Sequence, residues 1–170
     1  SNHNLLGIAF NPFDPPSPVR IYVGHSELFL DGGGCLTGAP VPYQGQISVL
    51  EGPNFDTVTE LVTGLPVSNH DHGVNGIDFD RNGDLYVNIG SNTNAGIPDC
   101  ASGGLPESPL SGAALKVELS RADFNGALSY EELFSGVLNN DQADGEEVEL
   151  VPGTHVTVFG AGLRNAYDLV

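Results

Sequence analysis

The chain of 170 residues carries five Lys and Arg against 22 Asp and Glu, a formal charge of −17, and such a surface repels phosphate backbones and anionic lipids, which argues against nucleic acid as a partner. A hydrophobic content of 39% is enough for one domain's core, while 23 glycines and 12 prolines require short elements and frequent turns, an all-β class without long helices. No stretch approaches the roughly 20 apolar residues of a membrane helix, which speaks against membrane insertion.

Taken in order, residues 5–10 form a short apolar run, 11–18 a loop with four prolines, and 19–24 a strand that returns beside the first, the two making a hairpin. Residues 25–29 carry that strand on, and 31–42 form a Gly/Pro loop holding Cys35. Residues 45–50 and 57–63 read as two further strands around the turn at Glu51, Gly52, Pro53 and Asn54, so that four strands make one antiparallel set. Residues 69–90 hold the densest polar cluster, His70, Asp71 and His72, directly ahead of the clearest hairpin: Ile77 and Phe79, a tight turn at Asn82 and Gly83, then Leu85, Val87 and Ile89 with period two. This spacing places the histidines at the end of a sheet rather than in a core, where sites gather. A loop over 91–111, a strand over 113–119, an insert over 120–147 with a helical turn at 129–134, and strands at 148–151 and 156–159 follow.

The set recurs. Gly7, Ile8 and Phe10 correspond to Gly76, Ile77 and Phe79 at an offset of 69 residues, and Asn165 onward matches Asn75 onward at an offset of 90. Four-strand sets repeating at tens of residues are the mark of a β-propeller, which needs about four to eight blades to close. The expectation is therefore about two blades plus the start of a third, 5–63, 64–160 with inserts 91–111 and 120–147, and 161–170. A two-sheet sandwich is the alternative. Blades left with uncovered faces belong to a longer ring, the remainder of the propeller, or pack against neighbouring chains. Without any methionine and beginning at Ser1, the chain reads as a processed or excised segment.

Cys35 and Cys100 both lie in Gly-rich loops, a placement that points to a disulfide in an oxidising, extracellular or cell-surface setting, with two free thiols as the other reading. Acidity of this degree suits an extracellular or salty medium, or a calcium partner. His70 and His72, two residues apart, would face one side of an extended segment, but a third metal ligand is not visible and no metal site is assigned. Asp80, Asn82 and Asp84 have the alternate oxygens of a calcium loop without its distal glutamate, and the turn explains them; the acidic run 141–149 reads as a solvated insert. Arg164 either serves a ligand or braces a sheet end against Asp71 or Asp168.

Several stretches together resemble a known family: residues 4–12 (Asn-Leu-Leu-Gly-Ile-Ala-Phe-Asn-Pro), 20–23 (Arg-Ile-Tyr-Val), 64–66 with Asp71 and His72, 83–87 (Gly-Asp-Leu-Tyr-Val) and 162–165 (Gly-Leu-Arg-Asn). The chain is similar to the glucose/sorbosone dehydrogenases, six-bladed propellers of which some oxidise sugars with pyrroloquinoline quinone (PQQ) and calcium. The resemblance runs through the chain in order, most weakly over 91–111 and 120–147. It implies His72 as the general base on a sugar hydroxyl, with Asn2, Arg164 and Asn165 toward the quinone; Asn2 stands where the enzymes carry glutamine, and Ala166 and Tyr167 depart from their pattern. A neutral imidazole can take a proton and a guanidinium can hold an anionic oxygen, which suits both roles. The competing expectation is a non-catalytic propeller module in a large secreted or surface assembly.

Overall fold

The computed structural model describes residues 3–27, 43–68, 70–138 and 148–169. Ten strands and one 3-10 turn account for the regular structure, with no α-helix among the described residues. No helix among them is long and apolar enough to cross a membrane.

The first sheet is an antiparallel meander of β1 (His3–Ala9), β2 (Ile21–Glu27), β3 (Gly45–Glu51) and β4 (Thr57–Leu65), in that order across the sheet. It follows the expected hairpins closely because β-branched residues alternate with polar ones and each turn has a residue that permits it, such as Gly52 at φ 91°. The second sheet repeats the plan with β5 (Val74–Phe79), β6 (Leu85–Ile89), β7 (Ala113–Val117) and β10 (Val156–Ala161), again in meander order.

The turn between β5 and β6 is longer than the two-residue type that Asn82 and Gly83 suggest. Only Gly83 takes positive φ, and the Asp80 carboxylate closes the loop by accepting the backbone N–H groups of Asn82 and Asp84 at 2.8 and 3.0 Å. The carboxylate is thus spent on its own turn. Asp84 is spent too, on Lys116 at 3.0 Å and on the Ser120 hydroxyl at 2.9 Å.

The two sheets face one another, β1 and β2 against β5, and glycine makes the approach possible. A Cβ on Gly7 would run into the Asn75 carbonyl oxygen, one on Gly24 would stand 2.9 Å from Val74 Cγ1, and one on Gly45 2.7 Å from Val74 Cγ2. Ile47, Val62, Val74, Leu85, Val87, Leu115 and Val156 fill the core between them, all branched side chains that suit a pleated surface buried on one face.

The insert between β7 and β10 corrects two expectations. Residues 130–132, expected as a helical turn, form strand β8 (Tyr130–Glu132), paired with β9 (Val148–Leu150) in a small separate sheet. The physical reason is Tyr130, fully buried, whose ring stacks on Tyr43 at 3.8 Å and whose hydroxyl donates to the Gly64 carbonyl at 2.8 Å; long-range packing overrides a weak local helix signal. The described part of the insert also lies along the edge of β4: Thr63 N–H donates to Gly126 O at 2.9 Å and Leu128 N–H to Thr63 O at 3.0 Å. An exposed edge is thereby paired, and the second sheet's insert fastens it to the first. The strand at 148–150 consequently belongs to the side sheet, not to the second meander.

After β10 the chain crosses the far face of the second sheet without further regular structure. Gly76 N–H donates to Tyr167 O at 2.9 Å, Asn75 Nδ2 to Asn165 Oδ1 at 2.7 Å and to Ala166 O at 2.9 Å, and Asn88 Nδ2 to Asp168 O at 3.0 Å. Apolar side chains remain uncovered at both ends of the stack. Leu6, Ile8 and Phe10 are exposed beside the first sheet, Phe159 and Tyr167 beside the second.

Candidate functional site

The polar cluster ahead of β5 is not the solvent-facing sheet end that its composition implies. Asp71 is exposed and His70 half-buried, but His72 is only 3% exposed. A local ring of bonds draws it in: Ser68 N–H donates to His72 O at 2.8 Å, and His72 N–H donates back to Ser68 Oγ at 3.0 Å. Its side-chain Nδ1 lies 2.7 Å from the carbonyl oxygen of Ser91, immediately after β6. A carbonyl only accepts, so Nδ1 carries a proton. Nε2 stands 3.7 Å from Asp71 Oδ1, and His70 Nδ1 lies 3.0 Å from the same oxygen as a charge contact. Burial pushes the Asp71 carboxyl up, but the bond from His70 and the charges of His72 and His70 outweigh it and hold the group below its ordinary value.

His70 and His72 therefore turn to one carboxylate and a carbonyl rather than toward a common ion. Among the described residues no group of three or more His, Cys, Asp or Glu is arranged to hold a metal.

Ser91 ties this cluster to the end of the chain. Its N–H donates to the Arg164 carbonyl at 2.8 Å while its carbonyl holds His72. Gly90, one residue earlier, admits both neighbours: a Cβ there would stand 2.6 Å from His72 Cβ and 3.0 Å from Asn165 Oδ1. Residues 72, 164 and 165 thus meet around Gly90 and Ser91. Asn2 lies outside the described residues.

The side chains then part. The Arg164 guanidinium is exposed and donates from Nε to Asn94 Oδ1 at 2.6 Å, so its partner is neither Asp71 nor Asp168 but an amide of the 91–111 loop. The reason lies in that loop's fold, which the sequence alone did not reveal. Glu107 gathers it: the carboxylate accepts from Asn92 N–H at 3.1 Å, Thr93 N–H at 3.0 Å, the Thr93 hydroxyl at 2.5 Å and the Ser111 hydroxyl at 2.6 Å. Four donors on one carboxylate make a rigid knot of a segment that composition marks only as loop. A lone glutamate among Ser, Thr, Asn and Gly, all short donors, was the one available signal.

The knotted loop and the chain's final segment enclose a pocket of about 300 Å3 lined by Thr93, Asn94, Glu107, Ser111, Leu163 and Arg164 among others. His72 is not in its lining. The chain matches no family model, no curated protein and no solved structure. What the site can do is read from its own atoms.

Those atoms offer an exposed guanidinium for an anionic group, and a buried imidazole outside the pocket lining. Cys100 opens the 3-10 turn (Cys100–Ser102) in the loop, capped by the Asp99 carboxylate on Ser102 N–H at 3.0 Å. Cys35, its expected partner, lies outside the described residues, as does most of the acidic run 141–149.

Proposed function

We propose that this chain is a stretch of a longer, extracellular β-propeller of the glucose/sorbosone dehydrogenase type, each four-stranded meander one blade and residues 162–169 the opening of the next, with its ligand end at the pocket beside Arg164. The observation that carries the reading is the meeting of His72 with Arg164 and Asn165, far from it in sequence, around the backbone of Gly90 and Ser91. Uncovered apolar side chains at both ends of the stack support further blades beside them, since exposed patches of this kind mark surfaces that are covered.

In such an enzyme PQQ would accept the reducing equivalents of a sugar. Arg164 fits an anionic cofactor: it is exposed, lines the pocket, and is oriented by Asn94. His72 fits less well. Its Nδ1 is held by the Ser91 carbonyl, and it lacks the position of a base, being buried and outside the pocket lining. No proton step is derived through it, and no residues gathered here fit the calcium of the enzymes.

That misplacement favours a second reading, a propeller module that keeps the blade end of a sugar dehydrogenase without its catalysis, serving structure or adhesion in a large secreted or surface assembly. Titration of the full chain with PQQ, followed by dye reduction with aldoses, separates the two. Binding with sugar-dependent reduction, lost in His72→Ala and weakened in Arg164→Met, supports the enzyme; absence of both binding and reduction overturns it and leaves the module.

A further inference from the structure

On the first sheet, two histidines converge in a way the proposed function does not use. His3 opens β1 and His25 sits near the end of β2, diagonal to one another across the strand pair, in which His3 faces Glu27 and Leu5 faces His25. Their Nδ1 atoms are 2.7 Å apart and their ring centroids 5.0 Å, the planes tilted by 45°. His25 Nε2 is anchored by Ser48 Oγ at 2.9 Å on β3. Two proton arrangements satisfy both contacts, and in either of them a single hydrogen lies between the two Nδ1 atoms. At least one lone pair therefore points into the gap, and the other proton is exchangeable.

We propose that His3 and His25 form a two-histidine clamp for Cu2+, the ion replacing the shared hydrogen. Ligand bonds of about 2.0 Å at a right angle, the tetragonal preference of Cu2+, need an N···N separation of about 2.9 Å, so the rings have to open by only a few tenths of an ångström. A tetrahedral ion needs more. Whichever ring holds the shared proton at Nδ1 gives it up to solvent and takes one at its own Nε2, so that both Nδ1 lone pairs face the ion without net proton release. Ser48 supplies the outer contact that orients a ligating histidine. The field suits a dication: Glu27 faces His3 across the ladder, and the charge of Glu60 acts on His25. Water completes the coordination.

The test is titration of the chain with Cu2+ at neutral pH, with electron paramagnetic resonance to count nitrogen ligands, and Ca2+ as a control for the acidic surface. One ion per chain with two coupled nitrogens is expected, with affinity falling roughly tenfold or more in both His3→Ala and His25→Ala, and unchanged in His155→Ala, whose ring lies beside Glu118 and Asp123. His3→Ala alters the first described residue of a strand, and circular dichroism confirms that it folds. Absence of binding, equal binding in the His3 and His25 variants, or loss in His155→Ala would each overturn the clamp and leave the pair as a shared hydrogen bond.

Discussion

The first sheet meets the second through glycine, whereas the second meets the chain's last segment through asparagine. At the first seam Gly7, Gly24 and Gly45 let backbone and the Val74 methyls approach directly, and the space is filled by branched apolar side chains. At the second, Asn75 and Asn88, each 1% exposed, reach across with their amides to Asn165 and to the carbonyls of Ala166 and Asp168, while both Oδ1 atoms have no hydrogen-bond partner. Meanders of one plan can thus be joined by close packing or by polar stitching.

Gly7→Ala should break the first seam outright, since the new Cβ meets a backbone carbonyl that cannot step aside; a loss of about 3 kcal/mol in urea unfolding is expected. Asn75→Ala should open only the second, costing about 1 to 2 kcal/mol as two buried acceptors lose their donor, with faster amide exchange over residues 162–169 and none over β1 to β4. Gly24→Ala is the graded control, about 1 kcal/mol, because its obstacle is a side-chain methyl. Uniform destabilisation of both seams by any one of these would end the distinction.

Charge divides the sheets in the same sense. In the first, Arg20 bridges Asp14 and Glu51 near the surface; in the second, Lys116 reaches Asp84, whose side chain is 6% exposed. Burial pushes the Asp84 carboxyl up, but Lys116 and the Ser120 donors more than offset it and hold the group below its ordinary value. A carboxyl depressed on folding contributes stability that is complete above its unfolded value, near 4, and is lost as pH falls through the folded value. Asp84→Asn should therefore flatten the acid limb of the stability curve below about pH 4, and Lys116→Met should lower stability at neutral pH more than Arg20→Met does, because it leaves the buried Asp84 carboxylate without its cation. The smallest expected effect is on mass alone: without reductant, Cys35 and Cys100 should be found joined, and alkylation of both in native material would refute the pairing.

The strands of both sheets, their order along the chain and the recurrence at Gly7 and Gly76 were legible in the sequence, because a pleated ladder writes its period directly into alternating residues and its turns into Gly, Pro and Asn. The meeting of positions 72, 164 and 165 around Gly90 and Ser91 is made only by the tertiary structure. What escaped was everything set by contacts between distant segments. Tyr130 became a strand residue because a buried partner ring and the Gly64 carbonyl were waiting for it. Glu107 became the knot of a loop because four donors converged on it. His72 turned inward to Ser91 and Arg164 outward to Asn94, since a side chain follows its nearest strong partner in space, and local sequence carries no record of which partner that is.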